Sequence, residues 1–261
     1  MKNPIQRLAF GANLLSALAM PLPASAQANA QVASYPNKPI RIIIGTPPGT
    51  GTDASARNFG QRLTAVLGQP VIIDNKAGAH GFPAGIAAKD AEKDGYTLFL
   101  AAGGTMAVNP GLHGKKLPFD PLKDFESIGI IERAPLYLAV SNSVPAKNVK
   151  ELVAYANANP GKFNYGTGGN GTTAHLAMEL LKRSTGMQAT HIPYRGANQV
   201  MQDLIGGQIQ TAFDAALLMV PQGKAGKLRI IGVASDKRMA VMPDVPTIQE
   251  QGFPGFSTWT W

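Results

Sequence analysis

The chain has 261 residues, 44% of them hydrophobic and 15% charged, with 29 glycines and 20 prolines. That is enough apolar material for one or two cored domains joined by many short loops, as in α/β folds. The formal charge of +8 is spread without a dense Lys/Arg block, which argues against a nucleic-acid partner and favours a small anion; the lack of cysteine excludes disulfides, thiol catalysis and Cys-ligated zinc.

Residues 1–26 read as an export signal. Lys2 and Arg7 make a basic start, "LAFGANLLSALAMPLP" is an apolar stretch broken by Pro21, and Ala24-Ser25-Ala26 fits a cleavage site. Cleavage after Ala26 would leave a periplasmic protein starting at Gln27, with a polar, Ala-rich leader. "IRIIIG" (40–45) predicts a buried strand. Helical spacing follows through Ala54, Leu63, Val66 and Leu67 and stops at Gly68. "PVIIDN" (70–75) is a second strand, "KAGAHGF" a loop, and "PAGIAAKDAEK" a short helix stopped by Asp94-Gly95. "YTLFLAA" (96–102) is a third strand, followed by Gly103-Gly104-Thr105. Strand, helix, strand, helix, strand predicts a doubly wound, parallel sheet.

"SIGIIERAPLYLAVSN" (127–142) reads as a long extended run interrupted by Pro135, and the alternation then restarts. Helices are expected in "NVKELVAYANANPG", "TTAHLAMELLKRSTG" and "ANQVMQDLIGG". Strands are expected in "KFNYGT", "ATHIPY", "IQTAFDAA" and "LRIIGVAS". The chain therefore divides into a first lobe, 27–134, and a second, 135–252, with 253–261 returning to the first.

Each lobe carries one device of the same design. "IIIGTPPGTGTDASA" and "FNYGTGGNGTTAHLA" both run from a strand through a Gly/Thr-rich loop to a helix start. A helix start presents unpaired N–H groups at the positive end of the peptide dipoles. Glycines let an anion approach the backbone, and threonine hydroxyls add donors and caps. Two such loops facing one cleft would share a ligand.

Other readings are open at this level. Gly49-x-Gly51-x-x-Ala54 with Asp74 fits a dinucleotide fingerprint, although Thr46-Pro47-Pro48 separates the first glycine from the strand. An exported hydrolase would need a nucleophile beside a base, and neither G-x-S-x-G nor H-E-x-x-H occurs. His175 reads as a packing or capping residue. Asp214 reads either as a cap for "AALLMV" or as an acceptor for a ligand donor. Trp259 and Trp261 read as core or hinge packing, and Asn109-Pro110 as a turn.

Taken in order, "YPNKPIRIIIGTPPGTGTDASAR", "LGQPVIIDNKAGAHG", "DGYTLFLAAGGTMAVNP", "LPFDPLKDFESIGII", "NPGKFNYGTGGNGTTAHLAMEL", "HIPYRGANQVMQDLIGGQIQTAFD", "AGKLRIIGVASDKR" and "PDVPTIQEQGFPGF" resemble the solute receptors of tripartite tricarboxylate transporters, the Bug receptors. The resemblance implies a two-lobed periplasmic binding fold of type II, each lobe a doubly wound, mainly parallel sheet with the ligand cleft between them. It implies a monomeric, non-enzymatic receptor with no cofactor or metal. Such a receptor would capture a small organic carboxylate for membrane transporter subunits, or on the same fold would report it to a sensor kinase. The matching site positions are Thr46, Pro48, Gly49, Thr50, Gly51, Thr52 and Asp53 in the first loop, and Gly104 and Thr105 after the third strand. In the second lobe they are Thr167, Gly168, Asn170, Gly171, Thr172 and Thr173, with Asp214 reading the far part of the ligand. Thr46 stands where the family usually has an aromatic residue, and Thr50 where it has a glycine, which makes the pocket floor more polar. Family members also continue past the position of Trp261, so a chain of this length is expected to be less stable than its longer relatives.

Overall fold

The computed structural model describes residues 35–261, so the expected export signal and most of the leader lie outside the described residues. Contacts divide the chain after Asn37, and Lys38–Trp261 form one compact unit.

The β-branched run forms β1 (Ile40–Ile44), flanked on both sides by parallel strands β2 (Val71–Asn75) and β3 (Thr97–Leu100) in the order β2-β1-β3. As the central strand of this sheet, β1 buries Ile40, Ile42, Ile43 and Ile44 almost completely. Apart from the exposed Arg41, its apolar character is what a strand covered on both faces requires. Helix α1 (Gly51–Leu67) lays Ala56 and Phe59 on Ile42, Ile44, Val71 and Ile73. A Cβ on Gly60 would sit 3.1 Å from the Val71 side chain, so glycine sets how closely α1 approaches the sheet. The helix stops at Gly68, which adopts φ 70° and returns its N–H to the Thr64 carbonyl. Helix α2 (Phe82–Lys89) is shorter than expected, because Asp90 ends it.

The segment after β3 differs from expectation. The loop predicted at Gly103-Gly104-Thr105 begins a π-helical turn, Gly104–Val108, which runs into α3 (Asn109–His113). Asn109 is therefore a buried helical residue rather than a turn residue, and its amide donates to the His80 carbonyl at 2.9 Å. Within the predicted 127–142 run only β4 (Ala134–Val140) is a strand, and Ile128 and Ile130 before it are exposed.

The second sheet has the order β6-β5-β7-β4-β8, built from β5 (Asn164–Thr167), β6 (Thr190–Pro193), β7 (Thr211–Ala215) and β8 (Arg229–Val233) around β4. Strand β5 runs parallel to β6 and β7, whereas β4 runs antiparallel to both β7 and β8. The sheet is therefore mainly parallel, as expected: β6, β5, β7 and β8 run the same way, and β4 is the one antiparallel strand among these five. Strand β4, reached through the segment 101–133, starts at the junction with its N-terminal end, while β5 and β7 come back toward that junction after helices. Helices α4 (Val149–Ala158) and α5 (Thr173–Thr185) cover one face around Leu138, Val140, Phe163, Tyr165 and Phe213. Helices α6 (Ala197–Gly206) and α7 (Ala216–Lys224) cover the other around Tyr137, Ala139, Leu204 and Met219. Strand β9 (Trp259–Thr260) does not join the first sheet. It pairs with Ala134 and Pro135 at the start of β4 and reaches the first sheet's loops through the Trp261 carbonyl, which accepts from Gly103 N–H at 2.9 Å.

The C-terminal ends of β1, β3, β5, β6 and β7 thus open on one region together with the start of β4. In open α/β sheets that is where ligands bind.

Candidate functional site

That region holds a cavity of about 780 Å³. The loop after β1 contributes Thr46, Pro47, Thr50, Gly51 and Thr52, and the loop after β3 contributes Gly104 and Thr105. From the second sheet come Gly168, Asn170, Gly171, Thr172 and Thr173, with Asp214 at the end of β7. The two Gly/Thr loops share one cavity, and both helix starts, α1 and α5, face it.

Both helix starts are closed by the same reciprocal cap. Ahead of α1, Thr50 Oγ1 accepts from Asp53 N, and Asp53 Oδ2 accepts from Gly49 N at 2.9 Å. Ahead of α5, Thr172 Oγ1 accepts from His175 N at 3.2 Å, and His175 Nδ1 accepts from Gly171 N at 3.2 Å. The pairing of a capping Thr with an acceptor three residues on satisfies helix-start donors in both directions. His175 is therefore a capping residue, as its position suggested.

Four expected residues stand back from the cavity wall. Pro48 and Gly49 are exposed outside it, with Gly49 at φ 79° beside Asn198. Asp53 is 4% exposed and saturated: Arg57 donates through Nε at 3.0 Å and Nη2 at 2.9 Å, Asn75 Nδ2 at 2.9 Å, and Gly49 N completes the set. Burial raises its pKa, but Arg57, Gly49 N–H and Asn75 outweigh that and hold the carboxyl below the usual carboxylate range. Its acid chemistry is spent inside the loop. Thr167 is buried at the end of β5, with its hydroxyl on His191 Nε2 at 2.7 Å and on Gly169. Asp74, the acid of the dinucleotide reading, is outside the cavity and pairs with Lys76 at 3.4 Å and Arg41 at 3.8 Å.

Asp214 is at the wall and does not cap α7, whose cap is Ala215. Among the described residues its carboxylate meets Ala215 N–H at 2.7 Å and no cation. Desolvation pushes its pKa up to about 6, against a partial offset from that N–H. The neighbouring wall is apolar, from Leu136, Ala215 and Leu217.

Three contributors escaped the sequence reading. The turn Tyr194-Arg195-Gly196 after β6 lines the cavity, and Gly196 lets it lie against Pro47 and Thr50, where a Cβ would be 3.4 Å from Pro47 Cγ. Its signal was available, since a strand followed by glycine at a helix start is the pattern used twice elsewhere. His80 lies at the wall with a left-handed backbone, φ 59° and ψ 23°. Its Nδ1 meets the Asn170 carbonyl at 3.0 Å; a carbonyl only accepts, so Nδ1 carries the hydrogen. Ser55 donates to Glu132 across the rim. Nothing local in the sequence marks either of these last contacts.

The two sets of loops also touch directly. A Cβ on Gly104 would be 3.0 Å from the Gly171 carbonyl oxygen, so the main chains of the two loops meet there.

A family model described as the tripartite tricarboxylate transporter family receptor matches residues 55–261. The chain belongs to this receptor family. A Cupriavidus necator protein encoded 5′ of gbd is 39% identical over 88% of this chain and 69% of its own length. Bordetella pertussis BugT is 32% identical over 87% of the chain and 70% of its own length. Among solved structures, a Rhodopseudomonas palustris protein holding adipate superposes with a TM-score of 0.84 at 33% identity, covering 87% of this chain and 76% of that one. MatC of the same organism, with bound malate, gives 0.80 at 30% identity over 87% and 77%. These receptors share the α/β periplasmic binding fold and are solute-binding proteins, not enzymes. This receptor is accordingly a solute-binding protein of the periplasmic class.

Proposed function

We propose that this receptor captures a small organic carboxylate in the 780 Å³ cavity and delivers it to the membrane subunits of a tripartite tricarboxylate-type transporter after export and cleavage following Ala26. The observation that carries the reading is the convergence of two capped helix starts, from different sheets, on one cavity. The N–H groups of Gly51, Thr52 and Thr173 and the hydroxyls of Thr46, Thr52 and Thr173, with Gly168 and Asn170, supply a neutral, donor-rich end for an anion, on loops held in shape by the internally bonded Thr50, Gly171 and Thr172. Gly104 and Thr105 close that end. Among relatives, adipate and malate are both carboxylates held by this fold.

Two lobes, 27–134 and 135–252, give the reading its dynamics. Each helix start belongs to a different lobe, so both are satisfied together only when the lobes are shut around the ligand. Residues 253–261 act as the strap between them. At the far end of the cavity Asp214, with no cation beside it among the described residues and next to Leu136 and Leu217, accepts a donor from the ligand's distal part.

Titration calorimetry against mono-, di- and tricarboxylates tests the reading. The expected result is saturable binding of at least one carboxylate, with no affinity for neutral sugars. Binding of sugars alone overturns it.

A further inference from the structure

We propose that His175 is a positioning residue for the second cavity loop, holding residues 168–173 in their anion-facing shape only while its ring is neutral. The consequence for ligand affinity rests on the carboxylate reading above; the structural device does not.

The device lies in the cap of α5. In the usual reciprocal cap the fourth residue is Glu or Gln, and the amide of Gln accepts a hydrogen bond at every pH. Here the fourth residue is His175, and its Nδ1 takes the Gly171 N–H at 3.2 Å. An imidazole nitrogen accepts only when it has no hydrogen, so the neutral ring must carry its hydrogen on Nε2. Protonation at Nδ1 sets one N–H against another, and either the ring or Gly171 must move. Gly171 has little room to do so: it sits at φ 71°, its carbonyl lies against Gly104, and a Cβ there would be 2.5 Å from the Leu112 side chain. A shift at Gly171 is therefore transmitted to the cavity wall and to the contact between the two loops.

The surroundings hold the ring neutral. His191 on β6 stacks on His175 with centroids 4.2 Å apart and planes 18° apart, and Tyr165 on β5 stacks beyond at 6.5 Å. On α5 itself, Lys182 opposes a charge on the ring and Glu179 favours one. Glu179 is already engaged by Lys182 at 2.8 Å and by the Tyr165 hydroxyl. Burial, the largest influence, lowers the pKa of His175. Burial and the neighbouring His175 press His191 down to about 4. His191 in turn bonds Thr167 Oγ1 at the root of the same loop. His80 also touches this loop, but its Nδ1–H already donates to Asn170, so a second proton at Nε2 leaves that bond in place.

Neutral His175 is the binding-competent form, so affinity is flat at neutral pH and falls by up to about tenfold per pH unit below the ring's pKa. The test uses the full chain as wild type, H175Q and H175A. Ring ¹⁵N shifts of wild type report the tautomer, and protection factors report the Gly171 amide between pH 4 and 8. Calorimetry with adipate and with malate reports affinity over the same range. Wild type is expected to show the Nε2–H tautomer, and to lose Gly171 protection and affinity together as pH falls. H175Q should keep both across the range, and H175A should lack Gly171 protection throughout. A Nδ1–H tautomer in wild type, or the same pH profile in wild type and H175Q, overturns the proposal. If neither acid binds at pH 7.5, the affinity arm reports on the carboxylate reading, and Gly171 protection still decides the role of His175. Should H175Q fail to fold, the tautomer and the wild-type protection profile decide it.

Discussion

The loop ahead of α1 and the loop ahead of α5 make the same turn with different acceptors. Asp53 closes the first and His175 the second, each reaching back to the glycine before the capping threonine. The aspartate brings a full negative charge, which Arg57 and Asn75 tie down in turn. The first loop is thus bound into its own sheet, since Asn75 ends β2. The histidine brings no charge when neutral, so the α5 start keeps its whole positive end for the cavity. One loop is the anchored half of the site, and the other is the half whose electrostatics and shape can respond to conditions.

The largest expected effect separates these roles. Asp53→Ala should cost about 3 kcal/mol, because it leaves Gly49 N–H, Asn75 and Arg57 without their acceptor. His175→Ala should cost less than about 1 kcal/mol at pH 7. Urea melts of the two variants check this, and equal losses would dissolve the distinction. The pH dependence of Asp53 follows from its lowered pKa: its contribution is present above the unfolded value near 3.8 and is lost as pH falls through the lower folded value.

Next comes Asp214, whose pKa is raised instead of lowered. Between about pH 4 and 6 the folded state binds the proton that the unfolded state releases, so burial of this group lowers stability as pH rises across that range. Asp214→Asn should therefore raise the melting temperature at pH 7.5 and leave it unchanged near pH 3.5. A loss of stability at pH 7.5 would mean the carboxylate has a cationic partner in solution.

Smaller still are the caps. Thr50→Ala and Thr172→Ala should each cost about 1 kcal/mol, since each removes one side-chain acceptor from a helix start. Matching losses in thermal melts would confirm that the two turns are equivalent at their threonines and differ only in the fourth residue. Gly104→Ala places a methyl 3.0 Å from the Gly171 carbonyl oxygen, a main-chain atom that cannot turn aside, so it should wedge the contact between the two loops. Its effect should appear in calorimetry as weaker carboxylate binding.

Much of this architecture was legible in the residues. The Ile-rich run 40–44, the stop at Gly68 and the threonines ahead of both helices have local causes, and local causes can be read locally. Asp53 misled because an acid in a ligand loop and an acid in a cap look alike in sequence. Arg57, one turn on, was the clue that it had a partner. The direction of β4 and the pairing of β9 depend on which strands meet across more than 70 residues, and Pro135 inside β4 pointed the other way until β9 supplied its pairing at that end. The π-helical turn at Gly104–Val108 has no sequence period of its own, so a Gly-Gly-Thr stretch read as loop. His80 and Glu132 entered the site through tertiary placement alone.

The meeting of Gly104 with the Gly171 carbonyl has a bearing on how such a receptor can diversify. A junction made of main-chain atoms has no side chain to exchange, so any residue larger than glycine at position 104 wedges it. Leu136, Tyr194 and Leu217, on the surrounding wall, are free of that restriction. New ligand preferences can therefore arise by substitution along the wall while the clasp between the halves is inherited unchanged.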